Sequence, residues 1–438
     1  MNKRIGIGLL GLGTVGTGVM NIMRNAAGRH PLVHQLDLVR VAVRDLKRER
    51  NVEVSPLLLT SNPQDVVDDP AVEIVVEVMG GIEPARQLIL RSIAAGKSVV
   101  TANKAVIARH GEEIAIAASK SGVYVLIEAA VGGGIPIIEP LKQSLGANRI
   151  DRVSGIINGT TNYILSRMTK EGVPYPKVLK EAQQLGFAEA DPASDVEGLD
   201  AADKISILSR LAFGGLIDRE AIPTRGISDL KALDIDYAKQ LGYCVKLLAV
   251  SERFDKDTIL EKSLSLGVRV QPTLIPIDHP LAGVNDVNNA ILVEGDPIGE
   301  VMFYGPGAGS GPTASAVVAD ILNIAGISQV AARRGSVDPL LAAASWRKCH
   351  LVDPKKIVQR NYVRLRAVDT PGVIGSIGTC FGKEGVSIQS IVQFDVSEGN
   401  AEIVVITHAV SHGQMTDALI AIQALPEVKG ISAHLGCL

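Results

Sequence analysis

The sequence predicts an α/β protein: a doubly wound parallel sheet first, then an α+β segment with a mixed sheet, then a ferredoxin-like module at the C-terminal end. Three observations carry this. Short Val- and Ile-rich runs alternate with amphipathic segments over the first 130 residues. From about residue 150 the pattern changes, and the later apolar runs have short connections. The last stretch orders itself β-α-β-β-α-β. A chain of 438 residues exceeds one ordinary core, so several domains are expected.

In the first region Ile5–Leu10, Val39–Val43, Ile74–Met79, Ser98–Thr101 and Tyr124–Ile127 read as buried parallel strands. "PARQLILRSIAAGKS" (Pro84–Ser98) reads as a connecting helix, with Pro in its first turn and Gly96 at its end. Directly after the first strand comes G-x-G-x-x-G, formed by Gly11, Gly13 and Gly16 with Leu12, Thr14 and Val15 between them. Gly11 permits a tight turn, Gly13 admits a phosphate to the backbone, and Gly16 lets helix meet strand. The helix N-terminus then offers N–H groups to a pyrophosphate. With a strand before it and βαβ after it, the motif reads as a Rossmann-type dinucleotide site.

The second strand runs into "VAVRDLKR". An acidic residue at its end would suit the ribose of NAD, whereas Arg44 can pair with a 2′-phosphate. The reading leans to NADP, with NAD open. "VVTANK" puts Lys104 just past a strand's carboxyl end, where such sheets bind ligands, although a surface lysine would look the same. "IEAAVGGGIP" bends the backbone at Gly132–Gly134, and its residue types read as a turn or as oxygen ligands for a hard cation.

The middle region holds a strand at Val153–Ile157 and a polar cap at Asn158–Asn162. Further runs at Val245–Val250, Ser265–Val270, Ala290–Glu294 and Val301–Tyr304 suggest a mixed sheet. "GFAEADPASDVEGLDAADKISILSRLAF" (Gly186–Phe213) gathers Glu189, Asp191, Asp195 and Glu197, then becomes a helix. On that helix Lys204, Ile207, Leu208 and Leu211 share one side, with Asp200 one turn earlier. Lys204 therefore heads an apolar stripe, with carboxylates near its amine. Such a lysine can pass a proton to or from an alcohol while hydride moves, or can form a simple helical ion pair. "YGPGAGSGPTASAVVADILNIA" (Tyr304–Ala325) is a glycine loop followed by a helix that could pack back on the first region.

Ala342–Arg360 reads as a linker. Beyond it Tyr362–Val368 alternates as a strand, Pro371-Gly372 turns, and Met415–Ala424 forms the second helix of the terminal module. Net charge is −3 and aromatic content 3%, which argues against nucleic acid and anionic membranes as partners. No run approaches the ~20 apolar residues of a membrane span. Cys244, Cys349, Cys380 and Cys437 are scattered, as in a reducing compartment. A cytoplasmic location is expected.

In order along the chain, "GLGTVG", "TANK", "EAAVGGGIP", "NGTTNYIL", "GFAEADPASDVEGLDAADK", "HPLAGV" and "GPGAGSGPTASAVVAD" resemble the bacterial-type homoserine dehydrogenases. "DTPGV" leading into a helix resembles an ACT domain. The resemblance implies reversible NAD(P)H-dependent interconversion of L-aspartate 4-semialdehyde and L-homoserine, towards threonine and methionine, by a monofunctional enzyme. It implies Lys204 as proton donor and substrate ligand, Lys104 as a second functional lysine near cofactor and substrate, and Glu189 and Asp200 as residues that bind homoserine or hold its lysine. Gly186 and Gly307 would line the nicotinamide side. A sodium ion would lie on Glu128, Val131, Gly133 and Ile135, chiefly on their carbonyls. Threonine is the implied effector of the ACT domain, and the enzyme would be a homo-oligomer, a dimer or tetramer. Expected domains are 1–135 for the nucleotide, completed by a helix at about 310–330, then 136–309 for substrate and dimerisation, a linker at 331–360, and the ACT domain at 361–438. The rival readings are an aspartate dehydrogenase-like enzyme and a non-enzymatic nucleotide and amino-acid sensor.

Overall fold

The structure is a computed structural model and describes residues 4–50, 52–254, 263–334, 348–396 and 400–438. The chain divides into two compact units, each assembled from separated segments. The first contains residues 1–153, 203–219 and 289–349.

Its sheet is parallel throughout. β1 (Ile5–Leu10) lies between β2 (Leu36–Ala42) and β4 (Ile74–Glu77). β3 (Leu59–Thr60) continues past β2, while β5 (Ser98–Thr101) and β6 (Val125–Leu126) continue past β4. The order β3–β2–β1–β4–β5–β6 reverses direction beside β1, and ligands of such sheets bind at that switch point. α1 (Thr14–Arg24), α2 (Gln64–Asp68), α3 (Ala85–Ala94) and α4 (Lys104–Ser121) make the crossovers. β1 is buried on every residue, as a central strand covered on both faces must be. α3 ends just before Gly96, the residue expected at its end, and Gly96 has φ +72°. β2 starts at Leu36 rather than Val39, because its first residues alternate (L-D-L-V) and Asp37 pairs with Arg4 at the exposed sheet end. β6 is short because the chain turns into a single 3-10 turn at Glu128–Ala130.

The rest of this unit is built from α5 (Ile138–Lys142), the start of β7 (Arg149–Ile156), and most of α9 (Leu199–Phe213). β10 (Asn288–Asp296) pairs with β7 and β11 (Gly299–Pro306). α11 (Ser310–Arg334) lies against α1. A Cβ on Gly18 would stand 2.7 Å from Ala314 Cβ, so glycine sets this close approach. Ser310 Oγ donates to Thr14 O at 2.8 Å. Ala314, Val317 and Ile321 complete one core with Leu9, Val19 and Val76.

The second unit contains residues 154–202, 220–288 and 350–438. It begins with α6 (Gly159–Glu171), α7 (Tyr175–Gln184) and α8 (Ala193–Val196), and continues with α10 (Ala232–Gln240). β8 (Tyr243–Arg253) pairs antiparallel with β9 (Ser263–Pro276) over eleven residues, Tyr243↔Pro276 to Arg253↔Leu266. β12 (Lys348–Leu351) also pairs β9. The terminal module reads β13 (Val358–Val368), α12 (Val373–Lys383), β14 (Ile388–Val396), β15 (Asn400–Thr407), β16 (Val410–Ser411), α13 (His412–Gln423) and β17 (Val428–Cys437). Its four long strands are antiparallel in the order β17–β13–β15–β14, the ferredoxin-like pattern the sequence predicted. Val363, Leu365, Ile377, Phe381, Ile403 and Met415 fill its core. β17 pairs parallel with β9 at Gly436↔Thr273, so one sheet runs through module and neighbouring segment. Of the expected 331–360 linker, residues 335–347 lie outside the described residues, and the flanks belong to α11, β12 and β13. Among the described residues no helix is long and apolar enough to cross a membrane.

Candidate active site

The glycine loop sits between β1 and α1. Gly11 has φ +104°, and a Cβ there would meet Val78 O at 2.9 Å. A Cβ on Gly16 would meet Gly11 O at 2.3 Å, so helix and strand approach through that glycine. Gly13 caps α1, and a Cβ there would meet no protein atom within 4 Å. Open space at a helix N-terminus is what a pyrophosphate requires. Leu12 and Val15 are partly buried against the core, and Thr14 opens α1. Arg44 is exposed just past β2. In the same loop Asp45 Oδ1 accepts the Lys47 N–H at 2.8 Å, so that carboxylate is engaged by its own loop.

At the carboxyl ends of β4 and β5, a buried network shapes the turn that precedes Lys104. Glu77 is 0% exposed. Its carboxylate accepts Met79 N–H at 2.8 Å and the Thr101 hydroxyl at 2.6 Å. Thr101 Oγ1 accepts Asn103 N–H at 3.0 Å, and Asn103 Nδ2 donates to Gly81 O at 2.7 Å. Burial pushes the Glu77 carboxyl above the usual range, against the hydrogen bonds from Thr101, Met79 and Asn103. Asn103 then caps α4, whose first residue is Lys104. Sequence reasoning passed over Glu77, because it ends an apolar run with nothing to mark it.

α9 carries Asp200 and, one turn later, Lys204. Both are buried, at 2% and 8% exposure. The stripe of Ile207, Leu208 and Leu211 is buried as expected, but so is the opposite side, including Ile205, Ser206 and Ser209. Ser206 Oγ donates to Asp203 O and Ser209 Oγ to Ile205 O, which satisfies both hydroxyls within the helix and lets that face leave water. Asp203 Oδ1 accepts from Arg109 Nη1 at 3.1 Å and from Arg219 Nε at 2.5 Å. Arg109 lies on α4, so this carboxylate ties the helix carrying Lys204 to the helix that Lys104 begins.

In the second unit Asn158, at the N-cap of α6, donates through Nδ2 to Asp195 Oδ1 at 2.7 Å and Asp200 Oδ2 at 2.9 Å. The Thr160 hydroxyl lies 2.6 Å from Phe187 O and 3.1 Å from Asp195 Oδ2. Gly186 follows α7 with φ +76°, and Glu189 is exposed on the same loop. Asp195 and Asp200 are thus brought together, while Glu189 belongs to the exposed approach.

The loop after β6 is buried at Val131 and Ile135 and has positive φ at Gly132 and Gly133. A Cβ on Gly133 would meet Gly307 O at 2.4 Å, and one on Gly307 would meet Asn289 at 2.1 Å. Gly133 therefore lets its loop meet the Gly307 backbone directly, and Gly307 makes room for the Asn289 side chain. Glu128 turns its carboxylate onto the N–H groups of Ile137, Ile138 and Glu139 at 2.6–2.9 Å. Its own N–H donates to Asp320 Oδ2 at 2.9 Å. Burial raises both carboxyls above their usual values. Gly132 O is taken by Ile135 N–H. Among the described residues no hydrogen bond ends on the carbonyls of Val131, Gly133 or Ile135.

Three family models match the chain. "Homoserine dehydrogenase, NAD binding domain" matches residues 11–128, "Homoserine dehydrogenase" matches 136–322, and "ACT domain" matches 361–427. A homoserine dehydrogenase of Synechocystis sp. is 54% identical over 425 residues, covering 97% of each chain. The solved homoserine dehydrogenase of Thiobacillus denitrificans is 41% identical with a TM-score of 0.89, covering all of this chain and 98% of the other. A hyperthermophilic archaeal homoserine dehydrogenase, solved in complex with NADPH, is 27% identical with a TM-score of 0.61 and covers 74% of this chain and 98% of its own. The aspartate dehydrogenase-like and sensor readings give way to these matches. The chain belongs to the homoserine dehydrogenase family of NAD(P)-dependent oxidoreductases and carries a C-terminal ACT domain.

Proposed function

We propose that the chain reduces L-aspartate 4-semialdehyde to L-homoserine, reversibly, with Lys204 as proton donor and NADP(H) as the preferred cofactor. The observation that carries this reading is the burial of Asp200 and Lys204 one turn apart on α9. A lysine withdrawn from water beside a carboxylate is suited to proton transfer at an alcohol. A nicotinamide bound here supplies the hydride. The Lys204 ammonium would stabilise the negative charge that develops on the carbonyl oxygen and give it a proton. Lys104 would act beside it, and Glu189 and Asp200 would hold the substrate's ammonium group.

The region 1–135 with α11 would hold the cofactor, on Gly11, Leu12, Gly13, Thr14, Val15 and Gly16. Gly186 and Gly307 would border the nicotinamide, 136–309 would supply the substrate site and 361–438 the regulatory one. The basic residues Arg44, Lys47 and Arg48, with Asp45 engaged by its own loop, favour a 2′-phosphate over a free ribose. The carbonyls of Val131, Gly133 and Ile135, on which no backbone hydrogen bond ends among the described residues, are of the type a hard cation takes, which supports a sodium ion there with Glu128 as the remaining ligand. Homo-oligomerisation is supported by edge strand β11, which exposes Met302 and Tyr304 at 40% and 55%. Threonine as effector is supported by the ACT match, and a cytoplasmic location by four free cysteines.

The test follows reduced-nicotinamide absorbance with L-homoserine, in separate reactions with NADP and NAD, each with and without threonine. A homoserine-dependent rise, faster with NADP and suppressed by threonine, is expected. A flat trace with both cofactors, from folded protein, would overturn the substrate assignment. A faster rate with NAD would overturn the cofactor preference alone.

A further inference from the structure

Asn158 does more than a helix cap needs. Its Oδ1 accepts the Thr161 N–H at 2.9 Å and so caps α6. Ser or Asp would cap equally well. What only an amide adds is a second group with two hydrogens, and here both are used. One goes to Asp195, 37 residues downstream, and the other to Asp200, 42 residues downstream. Asn158 is itself 5% exposed and Asp200 2%.

The choice of an amide has an electrostatic consequence. Two carboxylates gathered around one point repel, and a lysine or arginine between them would cancel that repulsion along with their charge. A neutral NH2 holds both without placing a positive charge between them. It does not titrate, so the grip is the same at every working pH. The neighbouring Thr160 hydroxyl has one proton and two acceptors in reach, Phe187 O at 2.6 Å and Asp195 Oδ2 at 3.1 Å, so it cannot replace the amide.

We propose that Asn158 is a positioning residue, a neutral clamp that fixes Asp195 and Asp200 in one orientation so that their charges serve a bound amino acid's ammonium and the lysine one turn along α9. This rests on the reading in which Asp200 serves the substrate.

Three variants test it: Asn158→Ser, which keeps the cap and loses both N–H donors; Asn158→Asp, which keeps the cap and adds a third carboxylate; and Asp200→Asn. Steady-state kinetics are measured for homoserine and NADP separately, with a thermal melt of each protein. Asn158→Ser is expected to stay folded at the assay temperature, melting a few degrees below the wild type because two carboxylates lose a donor, and to keep the NADP KM within about twofold. Its kcat/KM for homoserine should fall about tenfold to hundredfold, the scale of hydrogen bonds to charged groups. Asn158→Asp should lose more. Wild-type homoserine kinetics in Asn158→Ser, with Asp200→Asn impaired, would overturn the clamp and leave the substrate reading standing. Wild-type kinetics in Asp200→Asn would overturn the substrate reading itself. Failure of both Asn158 variants to fold would also overturn the proposal, because the residue would then be structural.

Discussion

Arg364 Nε lies 2.7 Å from Asp234 Oδ1, and Arg364 Nη1 lies 3.0 Å from Glu402 Oε2, with all three side chains buried. Arg364 is on β13 and Glu402 on β15, whereas Asp234 belongs to the first turn of α10 and also accepts Lys231 N–H there. The Tyr237 ring, one turn further along α10, stacks on Phe394 of β14 with centroids 4.1 Å apart. The ACT sheet is therefore docked on α10 by a buried ion triad beside an aromatic pair. Deleting the ACT domain would bare Asp234 and remove β17 from the side of β9, so point variants separate regulation from folding more cleanly.

Arg364→Leu should destabilise the protein by about 3–5 kcal/mol, because it strands two buried carboxylates. The triple variant Arg364→Met, Asp234→Asn, Glu402→Gln should recover most of that loss, since no net charge stays buried. Chemical denaturation of the two proteins checks this. Equal midpoints for Arg364→Leu and the wild type would show that the triad is solvated and weak.

Lys204→Ala should lower kcat for homoserine oxidation by about 10²–10⁴, the usual worth of a positioned proton-transfer group. The KM for NADP should stay within about twofold. Single-turnover rates at saturating cofactor measure the loss. A variant with half the wild-type kcat would remove Lys204 from the chemistry.

How much of this could be read in the sequence depends on how local the signal is. The first sheet was legible because fully covered parallel strands leave continuous apolar runs, and Gly11, Gly13 and Gly16 mark a turn whose geometry admits little else. Lys204 was legible as buried from its place at the head of a stripe. The burial of the opposite face was not, because Ser206 and Ser209 look solvated until their bonds to the helix backbone are seen. Asn158 was legible as a cap, a short-range property, but its bonds to Asp195 and Asp200 are set by the tertiary fold. Glu77 and the Asp203–Arg109 tie left no sequence signal for the same reason. The two compact units also mix segments far apart in the chain, which periodicity cannot register.

His434 supplies a pH prediction. Burial, His412 stacked at 6.3 Å and Arg225 together lower its pKa to about 4, and its Nε2 meets Asn361 Oδ1 at 3.0 Å. The unfolded chain takes up this proton near the usual 6.5, so between about 6.5 and 4 the unfolded state binds more protons than the native state. Stability should therefore fall as pH drops through that window. In His434→Gln the fall should be shallower over the same window. Denaturant midpoints from pH 7 to pH 4 decide it, and parallel curves for the two proteins would exclude His434 as the source.

The two glycines of the nucleotide loop should separate fold from cofactor. A Cβ on Gly16 runs into Gly11 O at 2.3 Å, so Gly16→Ala must displace helix from strand and should lower the melting temperature as well as weaken NADP binding. A Cβ on Gly13 meets no protein atom within 4 Å, and its φ of −86° suits alanine. Gly13→Ala should therefore melt with the wild type. Yet the methyl would stand in the space where a pyrophosphate approaches the N–H groups of α1. Its NADP KM should rise about tenfold or more, the cost of ~1.4 kcal/mol or more of lost binding, with the homoserine KM little changed. Melts and cofactor titrations on the two variants are sufficient. A Gly13→Ala protein that binds NADP as the wild type does would place the pyrophosphate away from this loop.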